Sequence, residues 1–258
     1  MLKKSLSQNL IKDKKILTKM VQLADVTRDD VVVEIGAGHG DLTGAICKAA
    51  GRVYSIELDD SFRHYLEPLE EEHENLSIIF GDVLEVPFSR FGSEKKVKVI
   101  GNIPYKITGP ILFKIMEERD YVRGAYLTAQ KEIGQRLVSA SHQRSYGALS
   151  VICQLVADVK ILLNLKAGVF VPPPKIDSVY FSMIFKDSAR HVDNTLMRFI
   201  RQCFENKRKY LKYALSKYYV EEQIVALYAS MGFSPSVRAE EIEPEQFVEM
   251  YRQLNTLT

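Results

Sequence analysis

The chain has 258 residues, with 35 lysines and arginines against 33 aspartates and glutamates, and 46% of its residues are apolar. This composition is that of a globular protein and excludes a mainly disordered chain. The three cysteines, Cys47, Cys153 and Cys203, are far apart, which argues against a disulfide framework or a zinc site. No apolar run reaches the roughly 18 residues of a membrane span, and the N-terminus lacks the apolar stretch of a secretory signal. We therefore expect a cytoplasmic protein without a membrane anchor.

Short β-branched runs alternate with stretches of helical spacing between residues 31 and 185. The predicted strands are 31–35, 52–58, 76–80, 97–100, 121–129, 159–165 and 179–185. The predicted helices among them lie over 42–49, 62–73, 111–116, 131–139 and 149–156. This alternation predicts an α/β fold, with a mainly parallel sheet covered by helices on both faces.

After about residue 187 the pattern changes to helices alone. These are predicted over 192–204, 207–218, 221–230 and 244–254. The change predicts two domains, a larger α/β domain over residues 1–187 and a small helical domain over residues 188–258.

Basic residues are concentrated in the predicted helical domain, although the net charge of the whole chain is only +2. Between residues 198 and 217 the only acid is Glu205. The densest part of the cluster holds Lys207, Arg208, Lys209 and Lys212. Tyr210 and Tyr213 lie among these cations. Such a cluster can bind a polyanion, and tyrosines can stack on unpaired bases. The alternative is the solvated face of a surface helix.

The first predicted strand runs into a glycine-rich turn that contains Gly36, Gly38 and Gly40. Glycines permit a sharp turn and let a ligand approach the main chain, and the helix that follows presents free N–H groups. A dinucleotide site has its last glycine at the position where Asp41 stands here. The turn therefore favours a nucleoside ligand over a dinucleotide.

Acidic residues follow the second and third predicted strands, at Glu57 and Asp82. A carboxylate at the carboxyl end of a strand can accept hydrogen bonds from both ribose hydroxyls, which suits Glu57. Asp82 is placed to accept a hydrogen bond from an adenine amino group. The alternative for each acid is a turn or cap residue.

The fourth predicted strand ends in Gly-Asn-Ile-Pro-Tyr over residues 101–105. Pro104 stiffens this corner and biases Ile103 toward an extended backbone. The Asn102 amide and the Ile103 carbonyl can accept the two hydrogens of an adenine N6, and the Tyr105 ring can stack on the base. The alternative is an ordinary Asn-x-Pro turn.

Together, the glycine turn, the two acids and the Asn-Ile-Pro-Tyr corner resemble the S-adenosylmethionine-dependent methyltransferases. More closely, the chain is similar to the ribosomal RNA adenine dimethyltransferases of the small subunit. Further segments that carry this resemblance are 7–11, 130–132, 146–150, 170–178 and, more loosely, 206–216. The resemblance implies a Rossmann-like class I methyltransferase sheet with an antiparallel last strand. It also implies that residues 1–187 bind the cofactor and catalyse, and that residues 188–258 bind RNA.

The resemblance further implies a role for individual residues. The implied cofactor-binding residues are Asn9, Ile11, Gly36, Gly38, Glu57, Leu58, Asp82, Val83 and Asn102. The implied catalytic residues are Asn102, Ile103, Pro104, Tyr105 and Phe170. Among these, Phe170 is expected to face Tyr105 across the substrate base. The implied RNA-binding residues are Lys207, Arg208, Lys209 and Lys212, and no metal ion is expected. The chain departs from the family at Leu10, where a phenylalanine is usual.

The activity that the resemblance implies is methyl transfer from S-adenosylmethionine to N6 of two adjacent adenosines near the 3′ end of small-subunit (16S) rRNA, during ribosome assembly. The expected partner is the small ribosomal subunit, and the expected oligomeric state is a monomer. One alternative is a large-subunit rRNA methylase of the antibiotic-resistance type. A second is a noncatalytic ribosome assembly or transcription factor on the same fold, which the intact Asn102 and Tyr105 disfavour. A third is a nicotinamide dehydrogenase, which Asp41 disfavours.

Overall fold

The computed structural model describes residues 9–92, 95–187 and 192–256. Its strands are β1 (Leu10–Ile11), β2 (Val31–Ile35), β3 (Arg52–Glu57), β4 (Leu76–Phe80), β5 (Val97–Gly101), β6 (Val122–Gln130), β7 (Ala157–Leu165), β8 (Phe170–Val171) and β9 (Ser178–Phe185). Its helices are α1 (Lys14–Leu23), α2 (Asp41–Cys47), α3 (Arg63–Glu72), α4 (Thr108–Glu117), α5 (Lys131–Leu137), α6 (Ala148–Val156), α7 (Asn194–Cys203), α8 (Lys212–Leu215), α9 (Glu221–Met231) and α10 (Pro244–Thr256). Within the described ranges, none of these helices has the length and apolar character needed to cross a membrane.

Seven of the strands form one sheet, in the order β4-β3-β2-β5-β6-β9-β7. Strands β2 to β6 pair in parallel, and β9 runs antiparallel to β6. Parallel strands need crossover connections, and here helices supply them. The predicted α/β class, with a mainly parallel sheet and an antiparallel strand late in the chain, is confirmed.

Strand β2 lies at the centre of this sheet, between β3 and β5. Val32 and Val33 of β2 are fully buried, and each such side chain contributes about 1.5–3 kcal/mol to folding. From β2 the chain proceeds outward through β3 and β4, then crosses to β5 on the other side. The strand order therefore reverses between β2 and β5. Open α/β sheets bind ligands at the carboxyl ends of the strands at such a reversal.

Three elements of the first part of the fold are not predicted by the sequence patterns: α1, β1 and β8. Strands β1 and β8 pair antiparallel, with Ile11 opposite Phe170. A two-residue strand has no periodicity that a sequence pattern can reveal. Helix α1 begins after Asp13, whose carboxylate accepts a hydrogen bond from the Lys15 N–H at 2.8 Å, and it buries Leu17.

The chain divides into two compact units. The first unit comprises the residues up to 134 together with 160–185, and the second comprises 135–159 together with the chain after residue 185. The segment 135–159, which the sequence-based division places in the larger domain, thus packs with the C-terminal helices. Within the second unit the Tyr146 hydroxyl donates to the Ile242 carbonyl at 2.8 Å, across 96 positions of sequence. A local sequence pattern carries no information about a pairing of this range.

The prediction of one continuous helix over residues 207–218 is wrong. The segment consists mainly of turns, and its one helix, α8, has four residues. The backbone N–H of Leu211 donates to the Val237 carbonyl at 2.8 Å, and the Lys207 ammonium binds two backbone carbonyls elsewhere in the second unit. These tertiary hydrogen bonds override the helix propensity of a lysine- and leucine-containing segment.

Candidate active site

A cavity of about 160 Å³ lies in the first unit, at the carboxyl ends of β2 to β5. The residues that line it are Asn9, Leu10, Ile35, Gly36, Gly38, Ile56, Glu57, Leu58, Phe62, Gly81, Asp82, Val83 and 102–107. This space exceeds what a single water or ion occupies. Because the strand order reverses here, the cavity lies where the sheet topology predicts a ligand site.

The turn between β2 and α2 brings bare main chain to the cavity. Gly36 and Gly38 have φ angles of +80° and +54°, in the left-handed region that favours glycine. A Cβ atom on Gly38 would lie 2.7 Å from Cδ2 of Leu10, which is too close for a real contact. The backbone conformation therefore favours glycine at position 38, and a side chain there would also displace the end of the Leu10 side chain.

Glu57, at the end of β3, places a carboxylate on the cavity wall although the side chain is almost completely buried. Its Oε2 accepts a hydrogen bond from the Gly38 N–H and its Oε1 from the Asp59 N–H, both at 2.9 Å. Burial raises the pKa of Glu57, while the two N–H groups oppose that rise. Each carboxylate oxygen has a second lone pair, so a ligand hydroxyl can bind as well.

Asp82 follows β4 and serves two purposes at once. Its Oδ1 accepts a hydrogen bond from the Leu84 N–H at 2.9 Å, so it shapes its own turn, and it also lines the cavity. Leu58 and Val83 add apolar surface beside it, and Leu58 is 50% exposed. Apolar faces with a carboxylate at the rim suit a nucleobase, which has flat faces and a polar edge.

Asn102 follows β5, and hydrogen bonds hold both ends of its side-chain amide. Its Nδ2 donates to the backbone carbonyl of Asn9 at 2.6 Å, and its Oδ1 accepts from the Thr128 hydroxyl at 2.6 Å. A backbone carbonyl can only accept, so Asn9 selects the amide orientation that turns Nδ2 toward itself. The amide is therefore fixed in one orientation at the edge of the cavity.

Tyr105 lies three residues further on, after the extended Pro104. Its hydroxyl shares a hydrogen bond of 2.7 Å with the hydroxyl of Ser178. Burial raises the pKa of Tyr105, and the hydrogen bond to Ser178 only partly opposes this rise. The side chain is therefore a neutral phenol at physiological pH, and its ring can offer an aromatic surface to a ligand.

The sequence matches a family model over nearly its whole length. That model is described as ribosomal RNA adenine dimethylase, and it matches residues 1–256. The chain belongs to the ribosomal RNA adenine dimethylase family. The family resemblance that the sequence motifs predict is confirmed.

Individual relatives agree with this family assignment. The chain is 35% identical over 256 residues to ribosomal RNA small subunit methyltransferase A of Chlorobium phaeobacteroides strain BS1, covering 99% of this chain and 94% of the relative. It is 34% identical over 255 residues to the protein of the same name from Mycoplasmopsis synoviae strain 53, covering 98% and 97%. Its structure is similar to that of a dimethyladenosine transferase from Plasmodium falciparum, with a TM-score of 0.79, 27% identity and coverage of 96% and 98%. The 23S rRNA methyltransferase ErmE shares the fold, at a TM-score of 0.71 and 20% identity.

Most of the predicted site residues of this dimethylase-family chain meet at the cavity. Among the predicted cofactor-binding residues, those that line it are Asn9, Gly36, Gly38, Glu57, Leu58, Asp82, Val83 and Asn102. The predicted catalytic residues that line it are Asn102, Ile103, Pro104 and Tyr105. Their functional roles stay predictions, but the structure brings the side chains to one place.

Two predicted site residues, Ile11 and Phe170, do not line the cavity. They lie opposite each other in the β1–β8 pair, and both side chains belong to the hydrophobic core. Phe170 is 1% exposed, so in this structure its ring does not face Tyr105 across an open space. The neighbouring Leu10 lines the cavity in place of Ile11, because successive residues of a strand point to opposite sides. A role for Phe170 beside the substrate base stays a prediction.

Two buried residues that contact the site, Thr128 and Ser178, were not predicted as site residues. Ser178 lies in one of the segments that resemble the family, which was a usable signal. Thr128 lies inside a strand run of the sequence, and nothing in its local pattern distinguishes it. Only the pairing of β6 with its neighbours places it next to Asn102.

The predicted RNA-binding residues lie in the second unit and differ in their surroundings. The Lys207 ammonium donates to the carbonyls of Arg144 at 3.0 Å and Tyr146 at 2.6 Å, and lies 3.5 Å from the Glu240 carboxylate. These contacts are internal to the unit and argue against a phosphate-binding role for Lys207. The exposed predicted cations are Arg208, Lys209 and Lys212. The exposed rings of Tyr210 and Tyr213 lie among them, nearly parallel, with centroids 6.4 Å apart.

Proposed function

We propose that this protein is an S-adenosylmethionine-dependent enzyme that dimethylates N6 of two adjacent adenosines near the 3′ end of small-subunit rRNA. Membership of the ribosomal RNA adenine dimethylase family supports the proposal, as does full-length similarity to proteins named ribosomal RNA small subunit methyltransferase A. The observation that carries it is the corner from Asn102 to Tyr105, which forms one side of a cavity with nucleoside-binding features. The product is N6,N6-dimethyladenosine.

The cavity residues fit S-adenosylmethionine, which is a nucleoside joined to an amino acid through a sulfonium. Glu57 would accept hydrogen bonds from the ribose hydroxyls, since both of its oxygens are anchored yet retain free lone pairs. Asp82 would accept from the adenine amino group, and Leu58 would contact an adenine face. The bare main chain at Gly36 would leave room for the methionine part.

When bound, S-adenosylmethionine would supply an electrophilic methyl group, whose bond to sulfur breaks as the bond to the target nitrogen forms, so that S-adenosylhomocysteine is the leaving group. In the first of the two transfers, Asn102 and the carbonyl of Ile103 accept the two hydrogens of the target amine, which draws the nitrogen out of conjugation with the adenine ring. Its lone pair is then directed at the methyl carbon. The Tyr105 ring stacks on the base and fixes its approach. After attack the nitrogen is cationic, and its proton is acidic enough to leave without a strong base.

In this proposal the two units divide the work. The first binds the cofactor and catalyses, and the second binds the rRNA of the small ribosomal subunit. Exposed Arg208, Lys209 and Lys212 contact phosphates, and Tyr210 and Tyr213 offer ring faces to unpaired bases. The enzyme works as a monomer in the cytoplasm.

The direct test incubates the purified protein with labelled S-adenosylmethionine and small subunits whose rRNA is unmethylated. Mass spectrometry of nuclease fragments is expected to find dimethyladenosine at two adjacent positions near the 3′ end of the rRNA. Asn102→Ala is expected to reduce product at least a hundredfold, because it removes an acceptor that acts on the reacting amine.

Other outcomes of the same experiment contradict the proposal. Labelled adenosine in large-subunit rRNA alone would indicate a methylase of the antibiotic-resistance type. Tight binding of the particle without any product in either rRNA would indicate an assembly factor that does not catalyse.

A further inference from the structure

Two buried hydroxyl groups form hydrogen bonds with two side chains that are central to the proposed reaction. Thr128 bonds Asn102, and Ser178 bonds Tyr105. Thr128 is on β6 and Ser178 is the first residue of β9, and neither side chain has any exposed surface. The strands are antiparallel neighbours, with Ser178 opposite Gln130. Both hydroxyls therefore come from the same end of the same strand pair.

Thr128 completes the hydrogen bonding of the Asn102 amide. Its hydroxyl donates to Oδ1 at 2.6 Å, while the Asn9 carbonyl accepts from Nδ2 at 2.6 Å. An amide oxygen has two lone pairs, so Oδ1 keeps one for an incoming N–H. Without the Thr128 hydroxyl, only one end of the amide is held, and rotation of the side chain would move Oδ1 away from the target amine.

Ser178 acts on Tyr105 in the same way. Its hydroxyl bonds the phenol oxygen at 2.7 Å, which fixes the far end of a ring whose near end is set by the Pro104 corner. A ring held at both ends presents one face in one orientation. Stacking on a base depends on that orientation, because tilting the ring loses contact area.

We propose that Thr128 and Ser178 are positioning residues of the methyl transfer: Thr128 orients the Asn102 carbonyl toward the target amine, and Ser178 orients the Tyr105 ring against the base. This inference rests on the proposed function. It predicts that loss of either hydroxyl slows the transfer step and leaves cofactor binding unchanged, since neither residue lines the cofactor cavity.

The test compares Thr128→Val, which removes the hydroxyl at nearly constant volume, with Thr128→Ser, which keeps it. Single-turnover methylation of small subunits is expected to slow about tenfold in Thr128→Val and to recover to within about twofold in Thr128→Ser, as expected for one neutral hydrogen bond. Ser178→Ala should slow the same step by a similar factor. S-adenosylmethionine affinity by calorimetry should change less than twofold in all three variants.

Ser182→Ala is the matched control, because it removes another buried hydroxyl from β9 that is opposite Tyr126 and outside the cavity lining. If Ser182→Ala slows transfer as much as Ser178→Ala, or if Thr128→Ser is as slow as Thr128→Val, the residues only pack the core and the inference is overturned. Equal loss of transfer rate and cofactor affinity would overturn it too.

A readout without catalysis separates this inference from the proposed function. The readout is the rate at which the Asn102 side-chain NH₂ hydrogens exchange with solvent, measured in a ¹H–¹⁵N correlation NMR spectrum. This exchange is expected to be slow in the wild type and in Thr128→Ser, and faster in Thr128→Val. An inactive wild type with this pattern would refute the proposed function and retain the fixed amide. An equal exchange rate in Thr128→Val and in the wild type would mean that Thr128 does not hold the amide, and would refute the inference.

Discussion

Glu57 carries a carboxylate in a cavity wall whose other side chains are mainly apolar, and two backbone N–H groups anchor it there. The anchoring matters because an unpaired charge at such a buried position would be costly. In the folded protein each carboxylate oxygen accepts one backbone hydrogen bond and can accept a second one from a ligand. A single side chain thus ties the glycine turn after β2 to the end of β3 and still offers acceptors to a ligand.

Replacing this carboxylate tests its role at the residue scale. Glu57→Gln leaves one acceptor where there were two and removes the charge, so S-adenosylmethionine affinity is expected to fall roughly 10- to 100-fold. Because burial raises the pKa of Glu57, wild-type affinity should also weaken as the pH falls through that raised pKa, and the Gln variant should lack this dependence. Calorimetric titration over a range of pH measures both effects. The exposed Glu71→Gln is the control, and an affinity equal to the wild type in Glu57→Gln would refute the role.

At the scale of elements, the pairing of β2 with β3 buries a second carboxylate next to the glycine turn. Glu34 lies directly opposite Ser55, whose hydroxyl donates to its Oε2 at 2.5 Å. Burial raises the pKa of Glu34 to about 7. The folded protein therefore keeps this proton at pH values where the unfolded chain, with the ordinary value of 4.5, has lost it.

Stability should accordingly depend on pH through Glu34. The folded state binds more protons between about pH 4.5 and about pH 7, so the contribution of Glu34 is fully present below that window and is lost as the pH rises through it. Urea unfolding at pH 5 and pH 8 should show a Glu34→Gln variant gaining up to about 3 kcal/mol relative to the wild type at the higher pH. Glu71→Gln should show no such gain. An equal wild-type-to-variant difference at both pH values would contradict the ionisation that we assign to Glu34.

At the scale of the whole molecule, the candidate active site and the exposed cations Arg208, Lys209 and Lys212 lie on different units of the fold. A near-neutral total charge conceals this, since the acids and bases are unevenly distributed. Binding to a polyanion depends on the local cations and falls with salt as their counterions are released. Cofactor binding depends on the cavity, which none of those cations lines, so we expect cofactor affinity to be independent of them.

Neutralising the exposed cations should separate the two activities. In a triple variant with glutamine at Arg208, Lys209 and Lys212, the slope of log K for subunit binding against log salt should become shallower by about 2, with cofactor affinity unchanged. Lys207→Gln is the contrasting variant, because its ammonium is bonded inside the second unit. It should lower the melting temperature and leave the salt slope intact. Loss of cofactor affinity in the triple variant would mean that the substitutions had damaged the fold.

Most of the sheet and most of the cavity lining could be predicted from local sequence patterns. The β-branched run at 31–35, the glycines after it and the proline corner at Pro104 each impose a local conformation through their own backbone and side-chain chemistry. Acids placed at strand ends then meet at one edge, because parallel strands end on the same side of a sheet. Most of the residues that line the cavity could therefore be predicted without coordinates, while their roles stay predictions.

The groups that hold those residues in place could be identified only from the folded chain. Thr128 bonds Asn102 across 26 positions, Ser178 bonds Tyr105 across 73, and Lys207 bonds the Tyr146 carbonyl across 61. Folding also joins segment 135–159 to the C-terminal helices. Hydrophobic periodicity and turn chemistry report only on neighbours in sequence, whereas these hydrogen bonds exist because folding brings distant backbone and side chains within about 3 Å.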